Sequence, residues 1–430
     1  MGTTRMAPSE FRKIACTGLA LATLACSGAP ALGQVIAQSA ADEARNNQVM
    51  ARSRPDYDAV GIPAGGFRLF PSLEIAGVYD DNIYNTEASR QSDFYAQISP
   101  RVTAQSNWSS NRLIVSGGGE FDRYAKKTTN NSDQYDISAN GTLDVTRAAQ
   151  INLTGGYARK IEPRGTLGDI FSGSTPVRYD LGTAGASASV QFAQIMFTIS
   201  GGYANYNYLP VTVGQTVVTQ NYRDRNEYNG GLRSDFSVGP IVKLFVSGAY
   251  TKEDYSQTIA TINQNSQGFS ALGGVALGKT GLLSGEIGIG YLKQYYAEKT
   301  FKAIGGFSYN AHVTWNPTQL LTVTATARRT IQQSPFVSQT GILEDSFGAH
   351  VDYELLRNVI LSAEGDAVFD NYSELDRKDR LYTAEGRARY LFSRWLEAGL
   401  SVSHRFQAST SSLGRRYAGS SVLIGLTFKR

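Results

Sequence analysis

The chain has 430 residues, of which 41% are hydrophobic and 18% are charged, and it contains 44 glycines. The net charge of +4 is too small and too dispersed to predict binding to nucleic acid. The mean hydropathy of −0.25 excludes a polytopic helical membrane protein, which needs repeated apolar spans of about 20 residues. The hydrophobic content is too high for a disordered chain, so the composition leaves soluble domains or one large closed β structure.

The first 33 residues have the pattern of a secretory signal peptide. A basic start precedes an apolar stretch over 14–24, and residues 31–33 suit cleavage. A transmembrane anchor is the alternative, but the apolar stretch is short for a bilayer. Both cysteines, Cys16 and Cys26, lie inside this leader, so we expect neither a disulfide nor a cysteine-based metal site in the exported chain.

Residues 34–66 follow the leader and show no clear hydrophobic periodicity. We expect a flexible periplasmic N-terminal segment here, in which residues 40–50 could form a short helix. The sequence leaves open whether this segment docks a partner.

From residue 67 to residue 430 the pattern has period two. Leu, Val and Ala alternate with Thr and Arg over 321–328, and similar alternation covers 346–355 and 396–403. Such alternation places the two residue sets on opposite faces of a strand. The segments often reach about 12 residues, whereas strands of soluble proteins average about 5 or 6. The pattern therefore predicts long antiparallel strands rather than helices.

The connections between these segments alternate between short and long, as in outer-membrane barrels. The predicted short turns lie at 107–111, 147–150, 192–196, 239–240, 279–281, 316–319, 357–358 and 393–394. The long connections lie near 80–90, 126–133, 161–177, 210–222, 257–263, 332–342 and 371–378, with shorter ones on the same side near 297–300 and 408–414.

These features predict an all-β fold, a single closed antiparallel transmembrane β-barrel over residues 67–430. Counting the segments gives about 18 strands, with 16 possible. The sheet must close, because lipid cannot satisfy unpaired backbone N–H and C=O groups. We expect a protein of the bacterial outer membrane in contact with lipid and lipopolysaccharide. An even strand number would place both termini in the periplasm.

Aromatic residues gather near the predicted strand ends, which indicates belts at the two membrane interfaces. Three tryptophans lie beside short turns, and tyrosines lie near the other ends. These residues are Trp108, Trp315, Trp395, Tyr79, Tyr84, Tyr124, Tyr157, Tyr206, Tyr208, Tyr250, Tyr255, Tyr295, Tyr296 and Tyr372.

Charged side chains that share the polar face should point into the barrel, since a basic residue facing lipid at mid-depth costs about 2–4 kcal/mol. They could line a hydrated channel, or they could pair with one another and brace or partly close the barrel. Both interpretations stay open. The candidates are Glu120, Asp122, Asp136, Asp144, Lys243, Glu286, Asp352, Glu354, Glu364, Asp366, Glu385, Arg387, Arg389, Glu397 and Arg405.

The sequence contains no convincing catalytic or metal-binding motif. The three histidines, His312, His350 and His404, are far apart and lack metal-ligand spacing. Ser346 and Asp352 flank His350, but the three would share one extended strand face at spacings too long for a relay. We therefore expect no enzyme activity, cofactor or metal.

One segment resembles a known family. Tyr79-Asp80-Asp81-Asn82-Ile83-Tyr84 ends the first strand, and Ser92-Asp93-Phe94 and Ile98-Ser99-Pro100 follow it. This is similar to the first hairpin of the β-barrel porin type 2 family. The resemblance implies an outer-membrane barrel that serves as the exit for a secreted exopolysaccharide and works with a periplasmic polysaccharide-export protein.

Three functions therefore compete. The first is the exopolysaccharide exit channel that the resemblance implies. The second is a porin for small hydrophilic solutes, and the third is a non-conducting structural or adhesive surface barrel. The sequence does not identify the polymer or solute, the pore diameter or the oligomeric state.

Overall fold

The structure is a computed structural model that describes most of the chain from residue 48 onward. The predicted signal peptide over 1–33 and the first part of the predicted N-terminal segment lie outside the described residues. In the described part, no helix is long and apolar enough to cross a membrane. The described residues are 48–430 except 168, 170–174, 260–261, 279–280, 338, 373–374 and 413.

Most of the described chain is β-strand, with two single-turn 3-10 helices at Thr128–Asn130 and Asn221–Arg223. Eighteen of the strands have 12 to 15 residues, as the long alternating segments predict. The strands are β1 (Ile62–Ala64), β2 (Phe67–Asp80), β3 (Asp93–Ser106), β4 (Arg112–Tyr124), β5 (Ser132–Thr146), β6 (Ala149–Ile161), β7 (Arg178–Phe192), β8 (Ile195–Tyr208), β9 (Val211–Val213), β10 (Thr216–Val218), β11 (Arg225–Ser237), β12 (Val242–Tyr255), β13 (Ser266–Leu277), β14 (Leu283–Tyr296), β15 (Ile304–Thr318), β16 (Leu321–Gln332), β17 (Ile342–Leu356), β18 (Val359–Tyr372), β19 (Arg377–Leu391), β20 (Leu396–Ser409) and β21 (Tyr417–Lys429).

The eighteen long strands form one closed ring. Each pairs antiparallel with its neighbours along the chain, and β8 pairs with β11 past the small β9–β10 hairpin. The ring closes where β2 pairs with β21. A closed ring leaves no unpaired edge, which is what a lipid environment requires. The prediction of a closed antiparallel barrel of about 18 strands is confirmed.

The connections at the two ends of the barrel differ in length. At one end, here called the short-turn end, the strands are joined by connections such as 147–148, 193–194 and 357–358. At the other, the long-loop end, they are joined by loops such as 81–92 and 162–177. The predicted short turns at 107–111, 239–240, 357–358 and 393–394 fall between two strands. Those at 147–150, 192–196 and 316–319 overlap strand ends by two or three residues, and most of 279–281 lies outside the described residues.

The two faces of the ring separate by residue type. Val246 and Ile424 lie on the outer face with 67% and 66% of their surface exposed, and such large exposed apolar side chains suit contact with lipid. The inner neighbours of Ile424 are largely buried, as Leu423 shows at 8%. Leu321 and Val351 lie on the outer face too, because they pair with exposed Tyr353 and with Val323.

Aromatic side chains form a row on the outer face near the long-loop end. Tyr309, Phe347, Phe369, Tyr382 and Phe406 contact one another in sequence, with successive ring centroids 5.9 to 6.4 Å apart. The tryptophans are exposed at the short-turn end. The structure supports an interfacial belt at each end.

The tyrosine prediction is wrong for about half of its members. Tyr206, Tyr208 and Tyr372 are at most 9% exposed and lie on the inner face, where arginine side chains stack on their rings. Strand alternation decides the face, so position near a strand end is not sufficient. Tyr124, Tyr255 and Tyr296 are also inner residues, while Tyr79, Tyr157, Tyr250 and Tyr295 are exposed on the outer face.

Candidate functional site

The structure places the predicted charged residues on the inner face of the ring. Ten of the fifteen candidates lie within ion-pair distance of a basic or acidic partner, whereas five form no ion pair in the described chain. These five are Glu120, Asp122, Asp144, Lys243 and Asp366. The ten paired residues are Asp136, Glu286, Asp352, Glu354, Glu364, Glu385, Arg387, Arg389, Glu397 and Arg405.

The pairs are densest on β19–β21, toward the short-turn end. Arg389 Nη2 lies 2.8 Å from Glu397 Oε1, and Lys429 Nζ lies 2.6 Å from Glu397 Oε2. Two residues before Arg389 on the same face of β19, Arg387 Nε donates to Glu385 Oε1 at 2.7 Å. The pairs of Glu397 with Arg389 and Lys429 cross-link neighbouring strands from inside, whereas Arg387 and Glu385 both lie on β19. This part of the wall is therefore braced rather than open.

His350 lies between two carboxylates on the inner face of β17 and β18. Its Nε2 is 3.0 Å from Asp352 Oδ1, and its Nδ1 is 3.6 Å from Glu364 Oε2. The serine that contacts this group is Ser362, which donates to Asp352 at 2.6 Å. No hydrogen bond joins Ser346 to His350, and the arrangement is not a relay to a nucleophile.

A second braced region lies on β11–β14. Arg233 contacts Asp235 at 2.7 Å and Glu286 at 3.0 Å, and its guanidinium carbon lies 4.0 Å from the centre of the Phe245 ring. Arg233 and Asp235 alternate with apolar residues in β11, so the rule that selected Glu286 applies to them as well. Neither residue is among the candidates above, although the alternation of β11 is sufficient to predict that both face inward.

The wall formed by β2–β5 is less fully paired. Arg101 bridges to Asp136 at 2.7 Å, and Glu120 accepts a hydrogen bond from Gln134 at 3.0 Å. Asp122 accepts hydrogen bonds from Gln97 and Ser132. The neighbouring inner residue Glu74, which the sequence analysis did not select, also forms no ion pair in the described chain. Carboxylates are therefore in excess on this wall.

The loop that carries the family motif is tied to the last strand. Asn82 is fully buried, and its Nδ2 donates to the carbonyl oxygens of Thr86 and Ala418 at 2.8 and 2.9 Å. Asp81 accepts a hydrogen bond from the Ser420 amide at 2.7 Å, and Asp80 pairs with Arg405 at 3.1 Å. The motif thus holds the first long loop (81–92) against the start of β21.

The other two motif residues, Tyr79 and Tyr84, lie before and after these contacts in the chain. Tyr79 faces outward and stacks on Phe94 with ring centroids 4.7 Å apart. Tyr84 lies under the guanidinium of Arg164, which belongs to the third long loop (162–177), at 5.7 Å from the ring centre. The motif therefore connects the lipid-facing surface to the loops above the barrel.

The third long loop is held over the long-loop end by Asp169. This carboxylate is 1% exposed and contacts Arg164 at 3.2 Å and Arg415 at 2.7 Å. Asn85 of the first long loop donates to the Arg164 carbonyl at 2.6 Å. Asp169 thus joins the third long loop to the loop that carries Arg415, and the first long loop contacts the third through Arg164. Together these loops narrow this mouth.

The fourth long loop (209–224) adds to this narrowing by packing on the inner tyrosines. Val211 is fully buried against Tyr208, and Arg223 stacks on the Tyr208 ring at 3.9 Å. Burial lowers the pKa of Arg223, but attraction to Tyr208 and Glu162 outweighs it and raises the pKa above its ordinary value. Arg223 therefore stays charged in this contact.

The short-turn end is narrowed by residues 48–58, here called the mouth segment. Arg54 is 2% exposed and pairs with Glu354, to which Arg52 also lies 3.3 Å away. The Val49 amide donates to Thr322 Oγ1 at 2.9 Å. The sequence predicts flexibility for this stretch, yet residues 48–58 make specific contacts with the inner wall of β16–β18.

Apolar contacts hold the mouth segment as well. Val49 packs on Ile360 and Leu391, and all three are fully buried. Arg394 donates to the Pro55 carbonyl at 2.7 Å. Beyond the segment, β1 pairs with β2, so strand pairing begins at residue 62 rather than at 67. Nothing in the local sequence signals this docking, because its partners are about 300 residues away in the chain.

The described residues include no cluster of three or more His, Cys, Asp or Glu side chains that could hold a metal ion. What the arrangement offers is a polar inner wall that is braced by ion pairs over most of its circumference and narrowed at both ends.

A family model described as "Putative beta-barrel porin 2" matches residues 54–430. The chain belongs to this family. It is an outer-membrane β-barrel of the porin-like channel type. The resemblance seen in the Tyr79–Tyr84 segment is thereby confirmed over the whole barrel.

Several solved structures align with most of this chain at low sequence identity. OpdL from Pseudomonas aeruginosa is 11% identical, with a TM-score of 0.41 over 85% of this chain and 99% of that one. A BenF-like porin from Pseudomonas fluorescens Pf-5 is 9% identical, with a TM-score of 0.43 over 84% and 99%. The siderophore receptor PirA from Acinetobacter baumannii is 7% identical, with a TM-score of 0.44 over 90% and 84%. Likeness at this level carries no argument about function. A search of curated proteins finds no match.

Proposed function

We propose that this barrel is the outer-membrane exit for a secreted exopolysaccharide. The observation that carries the proposal is a closed ring of eighteen strands with a polar inner wall. Rings of 16 to 18 strands are wide enough to enclose an aqueous channel. Membership of the porin family supports a channel, and the family's association with exopolysaccharide assembly supports the polymer as its cargo.

The proposal assigns the two ends of the barrel. Both ends of the ring sequence, at Phe67 and Lys429, lie at the short-turn end, which we place in the periplasm. The mouth segment then faces a periplasmic polysaccharide-export protein, the proposed partner. The long-loop end faces outward, and outer-face ion pairs such as Arg159–Asp180, at 2.8 Å, lie at the level of lipopolysaccharide.

In this assignment the inner-face residues line the passage. We propose that the braced pairs hold the wall in shape and that the unpaired carboxylates contact the solute. The lining residues are Glu120, Asp122, Asp136, Lys243, Glu286, Asp352, Glu354, Glu364, Asp366, Glu385, Arg387, Arg389, Glu397 and Arg405.

A porin for small hydrophilic solutes is the second candidate. The narrowing at both ends favours it, because the mouth segment and the loops held by Asp169 reduce the openings through which an extended polymer would have to pass. The exit channel requires at least one of these elements to move.

A deletion strain of the source bacterium separates the two candidates. The exit channel predicts loss of surface polymer with normal uptake of small nutrients, whereas the porin predicts the reverse. Normal polymer secretion in the deletion strain would remove the first proposal. Conductance of the purified protein in a planar bilayer tests both against a non-conducting surface barrel, which would give no current.

A further inference from the structure

A cavity of about 310 Å³ lies inside the barrel near the long-loop end. The inner faces of β2–β6 and β19–β21 form its wall, and the first three long loops cover it through residues such as Ile83, Asn130 and Pro163. It is thus a side chamber of the proposed passage, shaped by strands below and loops above.

Three amide side chains at this cavity each have one polar atom without a hydrogen-bond partner. These atoms are Gln97 Oε1, Asn85 Oδ1 and Asn130 Nδ2, and the three residues are 7%, 2% and 4% exposed. Buried polar groups are nearly always hydrogen-bonded. Two acceptors and one donor on residues that line the cavity are therefore unsatisfied in the described chain, and a hydroxyl carries both kinds of group that would satisfy them.

The carboxylates at the cavity reinforce this acceptor character. Glu74, Glu120 and Asp122 line it and form no ion pair in the described chain. The other acidic side chains of the lining are each paired with an arginine; they are Asp80, Asp136, Glu162 and Glu385. Lys160 is an inner residue at the far side of the cavity. The excess of negative charge disfavours an anionic ligand.

An aromatic pair completes the lining. Tyr95 and Tyr124 stack with ring centroids 4.6 Å apart and an interplanar angle of 26°, next to Gln97 and Asp122 on the same strands. An aromatic face suits the apolar C–H face of a sugar ring, while neighbouring amides and carboxylates bind its hydroxyls.

We propose that this cavity is a binding site for saccharide units that carry no acidic group, either neutral or amino sugars. Hydroxyls of the sugar donate to Glu120, Asp122 and Gln97 and accept from Asn130. The excess carboxylates exclude uronic acids and phosphorylated sugars. The inference rests on the proposed saccharide traffic through the barrel, but binding at the cavity is measured separately from transport.

Titration calorimetry of the purified full-length barrel in detergent tests the site with three probes of equal length. These are cellotetraose, the β-1,4-linked glucosamine tetramer and the galacturonic acid tetramer. We expect heat from the first two and none from the third. Asp122→Asn and Gln97→Ala should each weaken glucosamine tetramer binding roughly tenfold. Glu344→Gln, which changes a buried inner carboxylate on β17, should leave binding unchanged.

Equal affinity in the wild type and both cavity variants would overturn the proposal, as would preference for the galacturonic acid tetramer or no heat from any probe. The heat-modifiable migration of each variant reports whether the barrel has folded, and the near-isosteric Asp122→Asn keeps the test valid if Gln97→Ala does not fold. Tetramer binding without polymer secretion defects in the deletion strain would refute the proposed function alone. Polymer secretion defects without tetramer binding would refute this inference alone.

Discussion

Glu354→Gln should release the mouth segment from the barrel. Glu354 is 2% exposed and is the shared partner of Arg54 and Arg52. Removing one partner of a buried ion pair costs about 3–5 kcal/mol, because the other charge stays buried and uncompensated. The chain can avoid this cost by undocking, which gives up the burial of Val49, worth about 1.5–3 kcal/mol.

The cost of the uncompensated arginine charge is at least as large as the free energy that the burial of Val49 contributes. The docked state is therefore no longer strongly favoured over the undocked state. A loss of about 3 kcal/mol shifts the ratio of docked to undocked molecules by at least roughly 100-fold. Trypsin cleavage after Arg52, followed by mass spectrometry, reports undocking, because this bond lies within the docked segment. Bilayer conductance should rise in parallel, since the short-turn end is no longer narrowed.

Glu344→Gln is the matched control, because it neutralises a buried inner glutamate that does not contact the mouth segment. Cleavage after Arg52 should stay slow in this variant. If Glu354→Gln and the wild type are cleaved at the same rate and conduct equally, then the ion pair does not hold the segment and the reasoning fails.

Three further changes test other parts of the structure. Val246→Arg should reduce insertion into vesicles far more than Ser247→Arg, since an arginine facing lipid costs about 2–4 kcal/mol at mid-depth, and equal yields would contradict the assigned faces. Asp169→Asn should raise the rate of backbone hydrogen exchange in the third long loop, because Arg164 and Arg415 lose their shared carboxylate partner. An unchanged exchange rate would show that Asp169 does not hold this loop in place. Asn82→Ala should lower the free energy of unfolding in urea by roughly 2 kcal/mol, because buried carbonyls lose their donor, and an unaltered urea midpoint would show that the motif does not tie the loop.

The barrel was predictable from sequence because alternation is a local signal. In β16 and β17, Leu321 and Val351 share the lipid face while Asp352 lies opposite, and each position follows from its neighbours alone. The same signal places the inner charges, including Arg233 and Glu74, which parity would have selected. The tyrosines were assigned by their position near strand ends rather than by alternation, and position near a strand end does not determine the face.

The parts that could not be predicted depend on contacts between distant residues. Arg54 meets Glu354 across 300 positions, and Asp169 meets Arg415 across 246. Neither the mouth segment nor the long loops have a hydrophobic period, so no local pattern indicates where they dock. The cavity is formed by strands from both ends of the sequence and by three loops, so it becomes visible only in three dimensions.

The central claim is that the inner face of this ring meets water while the outer face meets lipid. The chain beyond residue 26 contains no cysteine, so single cysteines can be introduced without background. In the protein reconstituted in vesicles, Ser403→Cys on the inner face should react with a membrane-impermeant charged thiol reagent and change the bilayer current. Val402→Cys, on the outer face with 49% of its surface exposed, should not react. Reaction at Val402→Cys with protection at Ser403→Cys would contradict the account.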